Sequence, residues 1–314
     1  MNLSHHTAYG GAGWSPRNDT MAAELGRIWA GHAVGSEWAP LRAVLLHRPG
    51  TELAASRDPQ RVQMLAAVDL ARAQHQHDEL AEAYRRGGVA VHLLEPQRPP
   101  PPNQMFVADL MFMTPEGAVV GRPASTVRAG EERHLARKLA DLGVPILRSM
   151  RGRGTFEGAD AMWVDAHTVL VGVGFRTNTE GVAQLTALLA EMQVTVIPVP
   201  LAAGAMHLMG ALRIIDHDLA AAWPGRLAPE AVAALEQRGF RVQWIPDTDE
   251  ALSGMALNGV TLGPRRMLLP AGNPHTQAFF ESLGVSVQTV AVDELAKAAG
   301  AIGCLTGILA RESG

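Results

Sequence analysis

The chain is poor in cysteine, since its 314 residues include only Cys304, close to the C-terminal end. A single thiol cannot build an internal disulfide framework or a cysteine-rich zinc site, which leaves packing and chemical reactivity as its uses. By default, a lone cysteine among apolar residues is a small buried hydrophobic side chain. The stretch around it, AGAIGCLTGIL at positions 299–309, therefore raises the question of what this thiol does.

Blocks of Lys and Arg are absent as well, and the formal net charge is −4. The sequence thus offers no basic face for nucleic acid or an anionic membrane, and it favours a small or soluble partner. No window reaches about 18 uninterrupted apolar residues, and the opening MNLSHHTAYGGAGW lacks the basic flank and apolar run of a secretory signal. We expect a cytoplasmic protein. The sequence does not determine its oligomeric state, and a homodimer is one of the states it allows.

The chain does contain a repeated pattern of two short β-rich runs, a helical pattern and a further β-rich run. The paired runs share a polar break and end in Gly or Pro: LRAVLLHRPG (41–50), DLMFMTPEGAVVGRP (109–123), ADAMWVDAHTVLVGVG (159–174), LRIIDHDLAAAWPG (212–225) and NGVTLGPRRMLLPAG (258–272). Only one strand is clear in the first of them. Successive segments are roughly 50 residues apart, which is near the range of repeat architectures.

This repeat predicts an α/β fold of five ββαβ units that close around a pseudo-axis, a five-fold αβ-propeller. The alternative is an ordinary doubly wound sheet. We expect one domain over residues 37–314 and an irregular arm over residues 1–36, which match no unit. In the third unit, Thr177 and Glu180 have the spacing of a capping box at a helix start. If the units surround an axis, residues at equivalent unit ends converge although they lie far apart in sequence.

Four reactive side chains share one place in this pattern. Asp109, Glu157 and His207 lie at the openings of units, and Cys304 lies in the tail that closes the ring. Each has an ordinary explanation on its own, because acidic residues there are commonly turn residues and a histidine among apolar residues is commonly a satisfied core residue. Together, a thiol, an imidazole and carboxylates that can hold a cation are typical of covalent catalysis.

Five short motifs follow one another in order: FVAD (106–109), EGAD (157–160), RTN (176–178), HLMG (207–210) and AIGC (301–304). Their order and their placement in the repeats resemble the guanidino-group-modifying enzymes of the pentein superfamily, which are five-bladed αβ-propellers. The dimethylarginine dimethylaminohydrolases are the most similar of these. The resemblance covers residues 37–311 and implies a hydrolase that converts a methylated arginine to citrulline and an alkylamine.

By this resemblance, Cys304 is the nucleophile and His207 is the acid and base. Asp109 would hold the guanidinium, and Glu157 would lie between the guanidinium and His207. The other implied residues contact the substrate; they are Phe106 beside the guanidinium plane, Arg128 and Arg176 at the α-carboxylate, and Asn103 at the α-amino group.

The chemistry of a guanidinium agrees with this set of side chains. Its charge is spread over three nitrogens, so a site must fix it by carboxylate hydrogen bonds and present a thiolate to its carbon. A free thiol has a pKa of about 8.5, and a cationic substrate or a protonated His207 favours the thiolate. Attack would give a thiouronium on Cys304 that water then hydrolyses. No metal or organic cofactor is required.

Two positions depart from related enzymes. Met209 stands where deiminases and amidinotransferases carry an acid two residues after the histidine, and Ala108 stands where some dimethylarginine hydrolases carry a further acid. A thioether makes the rim beside the leaving nitrogen less polar, which suits methylated nitrogens with fewer N–H donors. The loss of the acid at Ala108 leaves open how strongly the guanidinium is held.

Three other functions remain open at this stage. An arginine deiminase or an amidinotransferase would use the same Cys/His site, and a non-catalytic pentein would bind a macromolecule without needing these reactive residues. A metal site at HQHD (75–78) or HH (5–6) is disfavoured, because residues two apart on a helix do not face one another.

Overall fold

The protein is described by a computed structural model over residues 3–312, so the first two residues of the expected arm and the last two of the expected domain lie outside the described residues. The strands, in chain order, are β1 (Leu41–Leu46), β2 (Ala90–Leu93), β3 (Met111–Thr114), β4 (Gly117–Val120), β5 (Ile146–Ser149), β6 (Ala161–Asp165), β7 (Thr168–Val173), β8 (Thr195–Pro200), β9 (Leu212–Asp216), β10 (Leu219–Ala222), β11 (Arg241–Trp244), β12 (Val260–Gly263), β13 (Arg266–Pro270), β14 (Ser286–Val290) and β15 (Gly307–Arg311). The helices are α1 (Met21–Glu24), α2 (Leu70–Arg86), α3 (Glu131–Asp141), α4 (Thr179–Glu191), α5 (Pro229–Glu236), α6 (Thr248–Ser253), α7 (Pro274–Ser282), α8 (Asp293–Ala296) and α9 (Ile302–Leu305).

Within the described residues, the strands form five separate three-stranded sheets. In each sheet an antiparallel pair is extended by a parallel strand that arrives after a helix, as in β6, β7, α4 and β8. This is the predicted ββαβ unit, and its five-fold recurrence confirms the αβ-propeller. The doubly wound alternative is wrong, because such a fold would join its parallel strands in one sheet.

The first sheet explains why only one strand was clear in the segment 41–50. Its antiparallel partner is β15, from the opposite end of the chain, with Leu41 opposite Arg311 and Leu45 opposite Gly307. The two ends of the chain therefore close the ring. Cys304 lies just before β15, in the same place relative to its sheet as the openings of the other units.

The helices pack their apolar faces on the sheets. Leu135 and Leu139 of α3 are fully buried, and the chain leaves this helix through Gly143, whose φ of +71° favours glycine. The expected capping box at Thr177 is wrong by one residue, since Asn178 accepts the hydrogen bond from Gly181 N. The Thr177 hydroxyl is already used, because it donates to Asp160 Oδ2 at 2.6 Å.

The segment before the first unit includes short helical stretches, among them α1, and its later part follows the propeller surface. Ala30 N donates to Gly143 O at 2.9 Å, Val34 N donates to Thr114 O, and Ala33 O accepts from Arg311 N. The boundary between arm and domain at residue 36 stays a prediction. No helix within residues 3–312 combines the length and apolarity needed to cross a membrane.

Gly158 of the EGAD motif allows two neighbouring units to approach each other. A Cβ atom at this position would lie 1.9 Å from Met111 O and 2.5 Å from Ala108 O, both of which are backbone atoms. The turn that carries Glu157 therefore packs directly against the turn that carries Asp109.

We predict that Gly158→Ala lowers the free energy of unfolding by about 1–3 kcal/mol, because backbone must move to admit the methyl group. The measurement is urea unfolding. Gly263→Ala is the matched control, since its Cβ would meet nothing closer than 3.6 Å. Equal stability of the two variants would show that the turns are not tightly packed.

Candidate active site

The unit openings converge at one end of the ring. Asp109 lies in a turn before β3, Glu157 lies before β6, His207 lies before β9, and Cys304 lies in α9 before β15. All four side chains are buried. A carboxylate oxygen of Asp109, a carboxylate oxygen of Glu157 and a ring nitrogen of His207 all lie within 4.8 Å of one another. The structure therefore brings together the four residues to which the sequence assigned catalytic roles.

The His207 imidazole lies between two carboxylates. Its Nε2 is 2.7 Å from Glu157 Oε2, and its Nδ1 is 3.8 Å from Asp109 Oδ1. Burial by itself lowers the pKa of His207, but the charges of Asp109 and Asp160 and the hydrogen bond with Glu157 raise it to about 9. The imidazole is thus cationic at neutral pH and has a proton to donate.

The Glu157 carboxylate is the anionic partner of this pair. Burial opposes its ionisation, yet the hydrogen bond and charge of His207, with the charges of Arg128 and Arg176, hold the pKa of Glu157 well below its ordinary value. Both members of the pair are therefore charged, and the charge of each stabilises the charged form of the other.

The side-chain amide of Asn258 forms two hydrogen bonds with Cys304. Asn258 Nδ2 donates to Cys304 Sγ at 2.9 Å, and Asn258 Oδ1 accepts from Cys304 N at 3.0 Å. Burial raises the pKa of the Cys304 thiol, and the negative charge of Asp109 adds to this, so that it reaches about 11 although Asn258 and Arg213 lower it. The resting thiol is therefore neutral at pH 7.

Sequence reasoning missed Asn258, although a signal was present. Asn258 opens the fifth paired-strand segment, in the same register as Asp109, Glu157 and His207. Gly303 makes its approach possible, since a Cβ there would lie 2.7 Å from Asn258 Oδ1 and 2.9 Å from Met209 Sδ. The same contact places the Met209 thioether beside the residue that precedes Cys304.

Arg128 is buried in a network of three carboxylates. It donates to Asp109, its Nη2 lies 2.8 Å from Glu131 Oε2, and its Nη1 lies 3.6 Å from Glu157 Oε2. Glu131 was not singled out in the sequence, and burial raises its pKa to about 7 despite the neighbouring guanidinium. The structure thus turns Arg128 toward the carboxylates of the site, with its Cζ 5.9 Å from the centre of the Phe106 ring.

The remaining expected substrate contacts surround a small cavity of about 20 Å³ that reaches Cys304. Its walls include Asn103, Phe106, Asp109, Arg128 and Arg176. Arg176 also contacts Glu157, with its Nη1 3.4 Å from Oε1. All eight residues predicted for the site therefore lie in one place. The groupings of three metal-type ligands among the described residues include neither His75 nor His77.

Comparison with known proteins places this arrangement in a family. Residues 55–305 match the family described as N,N dimethylarginine dimethylhydrolase, eukaryotic. The chain belongs to this family. The dimethylarginine dimethylhydrolase family is the one that the five short motifs resemble, so the recognition from the sequence is confirmed.

Relatives and solved structures agree with the family. The N(G),N(G)-dimethylarginine dimethylaminohydrolase of Pseudomonas aeruginosa is 28% identical over 242 residues, which are 77% of this chain and 90% of that protein. A dimethylarginine dimethylaminohydrolase variant in an adduct with S-methyl-L-thiocitrulline has a TM-score of 0.72 at 25% identity, covering 87% of this chain and all of the other. The N-terminal domain of the cyanobacterial arginine dihydrolase ArgZ, bound to its substrate, shares the fold with a TM-score of 0.74 at 19% identity over 86% of this chain and 98% of that one.

We predict that the thiol of the free protein titrates far above the ordinary value. Iodoacetamide should alkylate Cys304 slowly at pH 7, and the rate should keep rising to at least pH 10, because the pKa is raised to about 11 and only the thiolate reacts. Mass spectrometry follows the single thiol directly. A small-molecule thiol is the control, since its rate is half-maximal at about pH 8.5 and levels off about one unit higher. A plateau of the protein at or below that pH would contradict the neutral resting thiol.

Proposed function

We propose that the protein hydrolyses Nω-methylated arginine to citrulline and an alkylamine, with Cys304 as the nucleophile. The observation that carries the proposal is a set of three buried polar atoms without a hydrogen-bond partner among the described residues: Asp109 Oδ1, Asn103 Oδ1 and Arg176 Nε. All three residues line the small cavity that reaches Cys304. Buried polar groups are normally satisfied, so these three atoms are available to bind the polar groups of a ligand.

The three atoms complement the polar groups of an arginine. Asp109 Oδ1 and Asn103 Oδ1 are acceptors, which suit the N–H groups of a guanidinium and of an α-ammonium. Arg176 Nε is a donor on a cation, which suits an α-carboxylate. The names of the relatives and the S-methyl-L-thiocitrulline adduct of one of them support the same substrate class.

Some side chains must move for this substrate to bind. The small cavity of about 20 Å³ has room for little more than one water molecule. Arg128 already places a guanidinium against Asp109 and near Glu157. Those carboxylates are therefore oriented for a guanidinium before any substrate arrives.

The positive charge of the substrate would favour ionisation of Cys304, which is a neutral thiol in the free protein. The charge of Asp109 helps to raise the pKa of Cys304, and a guanidinium bound to Asp109 offsets that charge. The thiol then loses its proton to solvent, and the thiolate adds to the guanidino carbon. His207 gives its proton to the substituted nitrogen, and the C–N bond breaks. The amine leaves, and a thiouronium remains on Cys304.

Hydrolysis would complete the cycle with the same residues. Neutral His207 removes a proton from water, whose oxygen adds to the thiouronium carbon. The C–S bond breaks as the hydroxyl group of the tetrahedral intermediate loses its proton to solvent, citrulline leaves, and Cys304 is released as thiolate. Glu157 stays anionic throughout and keeps His207 in place, since its Oε2 is 2.7 Å from the imidazole.

We predict that Nω-methylated arginines are better substrates than arginine. Arginine would bury N–H donors beside the Met209 thioether, at a cost of about 1–3 kcal/mol for each unsatisfied group, so kcat/KM should be at least about tenfold lower. The experiment compares arginine, monomethylarginine and asymmetric dimethylarginine, with ammonia and amine measured separately. Met209→Asp should shift the preference toward arginine.

The controls separate this function from its alternatives. Cys304→Ser should release no amine while keeping the wild-type melting temperature, because a serine hydroxyl is not ionised at neutral pH. Ammonia from arginine as the main product would identify a deiminase. A new guanidino product after addition of an amine would identify an amidinotransferase. No turnover of any of these substrates would favour a binding protein.

A further prediction concerns the substrate carboxylate. Arg176→Met should raise KM for arginine derivatives about tenfold or more, because a charge-assisted hydrogen bond is worth about 1.5–3 kcal/mol. Agmatine has no carboxylate and should be a poor substrate that the substitution barely changes. The exposed Arg151, in the loop just before the third unit, provides a matched Arg→Met control. If agmatine reacts as well as an arginine derivative, Arg176 does not bind the carboxylate.

Arg128 does not allow the same test. All three of its guanidinium nitrogens contact Asp109, Glu131, Glu157 or the Phe106 carbonyl. Its removal would leave buried carboxylates without a cation and would therefore impair folding as well as binding. Its assignment to the substrate carboxylate stays a prediction.

A further inference from the structure

A second and larger cavity lies on the other side of Cys304. Its volume is about 160 Å³, against about 20 Å³ for the cavity that holds the expected arginine contacts. The two share Met206, Ala299 and Cys304, so they meet at the thiol. We refer to the larger one as the outer cavity. The proposed function uses only the part of it beside Met209, where the methyl groups of the substrate would lie.

The outer cavity lies on the same side of Cys304 as His207, the proposed general acid. His207 lines the outer cavity only, whereas Asp109 and Arg176 line the small cavity only. A guanidino carbon bonded to Cys304 would therefore have its amino-acid chain in the small cavity. Its leaving nitrogen, which takes the proton of His207, would face the outer cavity. Any group carried by that nitrogen would extend into it.

The outer cavity has room for more than methyl groups. An engineered apolar protein cavity of about 150 Å³ holds benzene, which has six heavy atoms. The two methyl groups of dimethylarginine provide only two heavy atoms. The walls suit an aliphatic chain, because they include Met206, Met209, Met255 and Leu257, and thioether side chains adapt to the shape of what they contact.

One cation lies on the wall of the outer cavity. Arg226 is half-buried, with its Cζ 4.9 Å from the centre of the Trp223 ring and its Nη1 donating to Ala203 O at 3.0 Å. Among residues 3–312, no carboxylate forms an ion pair with it. A guanidinium held in place by an aromatic ring and left without an anion favours an acidic ligand group.

We propose that the outer cavity is a leaving-group subsite for Nω substituents of about four to six heavy atoms that end in a carboxylate, which pairs with Arg226. The inference rests on the proposed function and narrows its substrate class. The bond that breaks is the same C–N bond, water is the same co-reactant, and the leaving amine is an ω-amino acid in place of dimethylamine.

The test compares two substituted arginines with dimethylarginine. Nω-(3-carboxypropyl)arginine carries six heavy atoms and an acid, and its hydrolysis would give 4-aminobutyrate. Nω-butylarginine carries four heavy atoms and no charge. The kcat/KM of the carboxypropyl compound should be at least that of asymmetric dimethylarginine and at least tenfold that of the butyl compound. Released amines and citrulline are identified by mass spectrometry.

Two variants and one control examine the subsite itself. Arg226→Gln should lower the carboxypropyl-to-butyl ratio at least tenfold, while Arg151→Gln should leave it within twofold. Ala205→Phe places a ring in the outer cavity, which Ala205 lines, and should lower the ratio of carboxypropylarginine to dimethylarginine at least tenfold. If Arg226→Gln slows both substituted arginines by the same factor, Arg226 does not bind the substituent and the proposal is wrong.

Failure of the inference is distinguishable from failure of the proposed function. Release of dimethylamine from dimethylarginine, with both larger compounds more than tenfold slower, would overturn the subsite and leave the function intact. If no compound reacts, calorimetry with Cys304→Ser still decides the matter. Carboxypropylarginine should bind at least fivefold more tightly than butylarginine, and equal affinities would overturn the subsite.

Discussion

The arrangement of the site depends on a buried guanidinium. Arg128 contacts Asp109, Glu131 and Glu157, three carboxylates from two different units that would otherwise repel one another in a region with little water. Burial disfavours each of these charges, and the clearest sign is that the pKa of Glu131 is raised to about 7. One cation among three acids makes the cluster possible, and Arg176 and the cationic His207 add positive charge beside Glu157.

Burial and the neighbouring carboxylates account for the protonation states of His207 and Cys304. The carboxylates keep His207 protonated, with a pKa raised to about 9 against the effect of burial, whereas burial and, after it, the charge of Asp109 keep Cys304 a thiol. Under the proposed function, the empty site does not react because Cys304, its nucleophile, is neutral. A substrate guanidinium would offset the charge of Asp109 and so remove the electrostatic part of the cause. Substrate binding would then be coupled to activation of the nucleophile.

The sequence was informative where the relevant signal was local or repeated. The ring followed from five paired-strand segments, and Asp109, Glu157 and His207 were found through their shared place in those segments. The pairing of β15 with β1 could not be foreseen in detail, because it joins the two ends of the chain. The orientation of Arg128 depends on Glu131 and on the approach of a neighbouring unit, neither of which leaves a pattern in the sequence. The role of Thr177 was misjudged for the same reason, since its partner Asp160 lies in another turn.

The position of the lone cysteine follows from the way in which the ring closes. Each of the five sheets begins with a turn at the same end of the propeller, and these turns carry Asp109, Glu157, His207, Asn258 and Cys304. The last of the turns comes just before β15, because the antiparallel partner of β1 in the first sheet comes from the C-terminal end of the chain. Cys304, which we propose as the nucleophile, is therefore the fifth member of a symmetric set. Pseudosymmetry brings one side chain from each unit to the axis, and the different chemistry of the five turns makes an asymmetric site from a repeated fold.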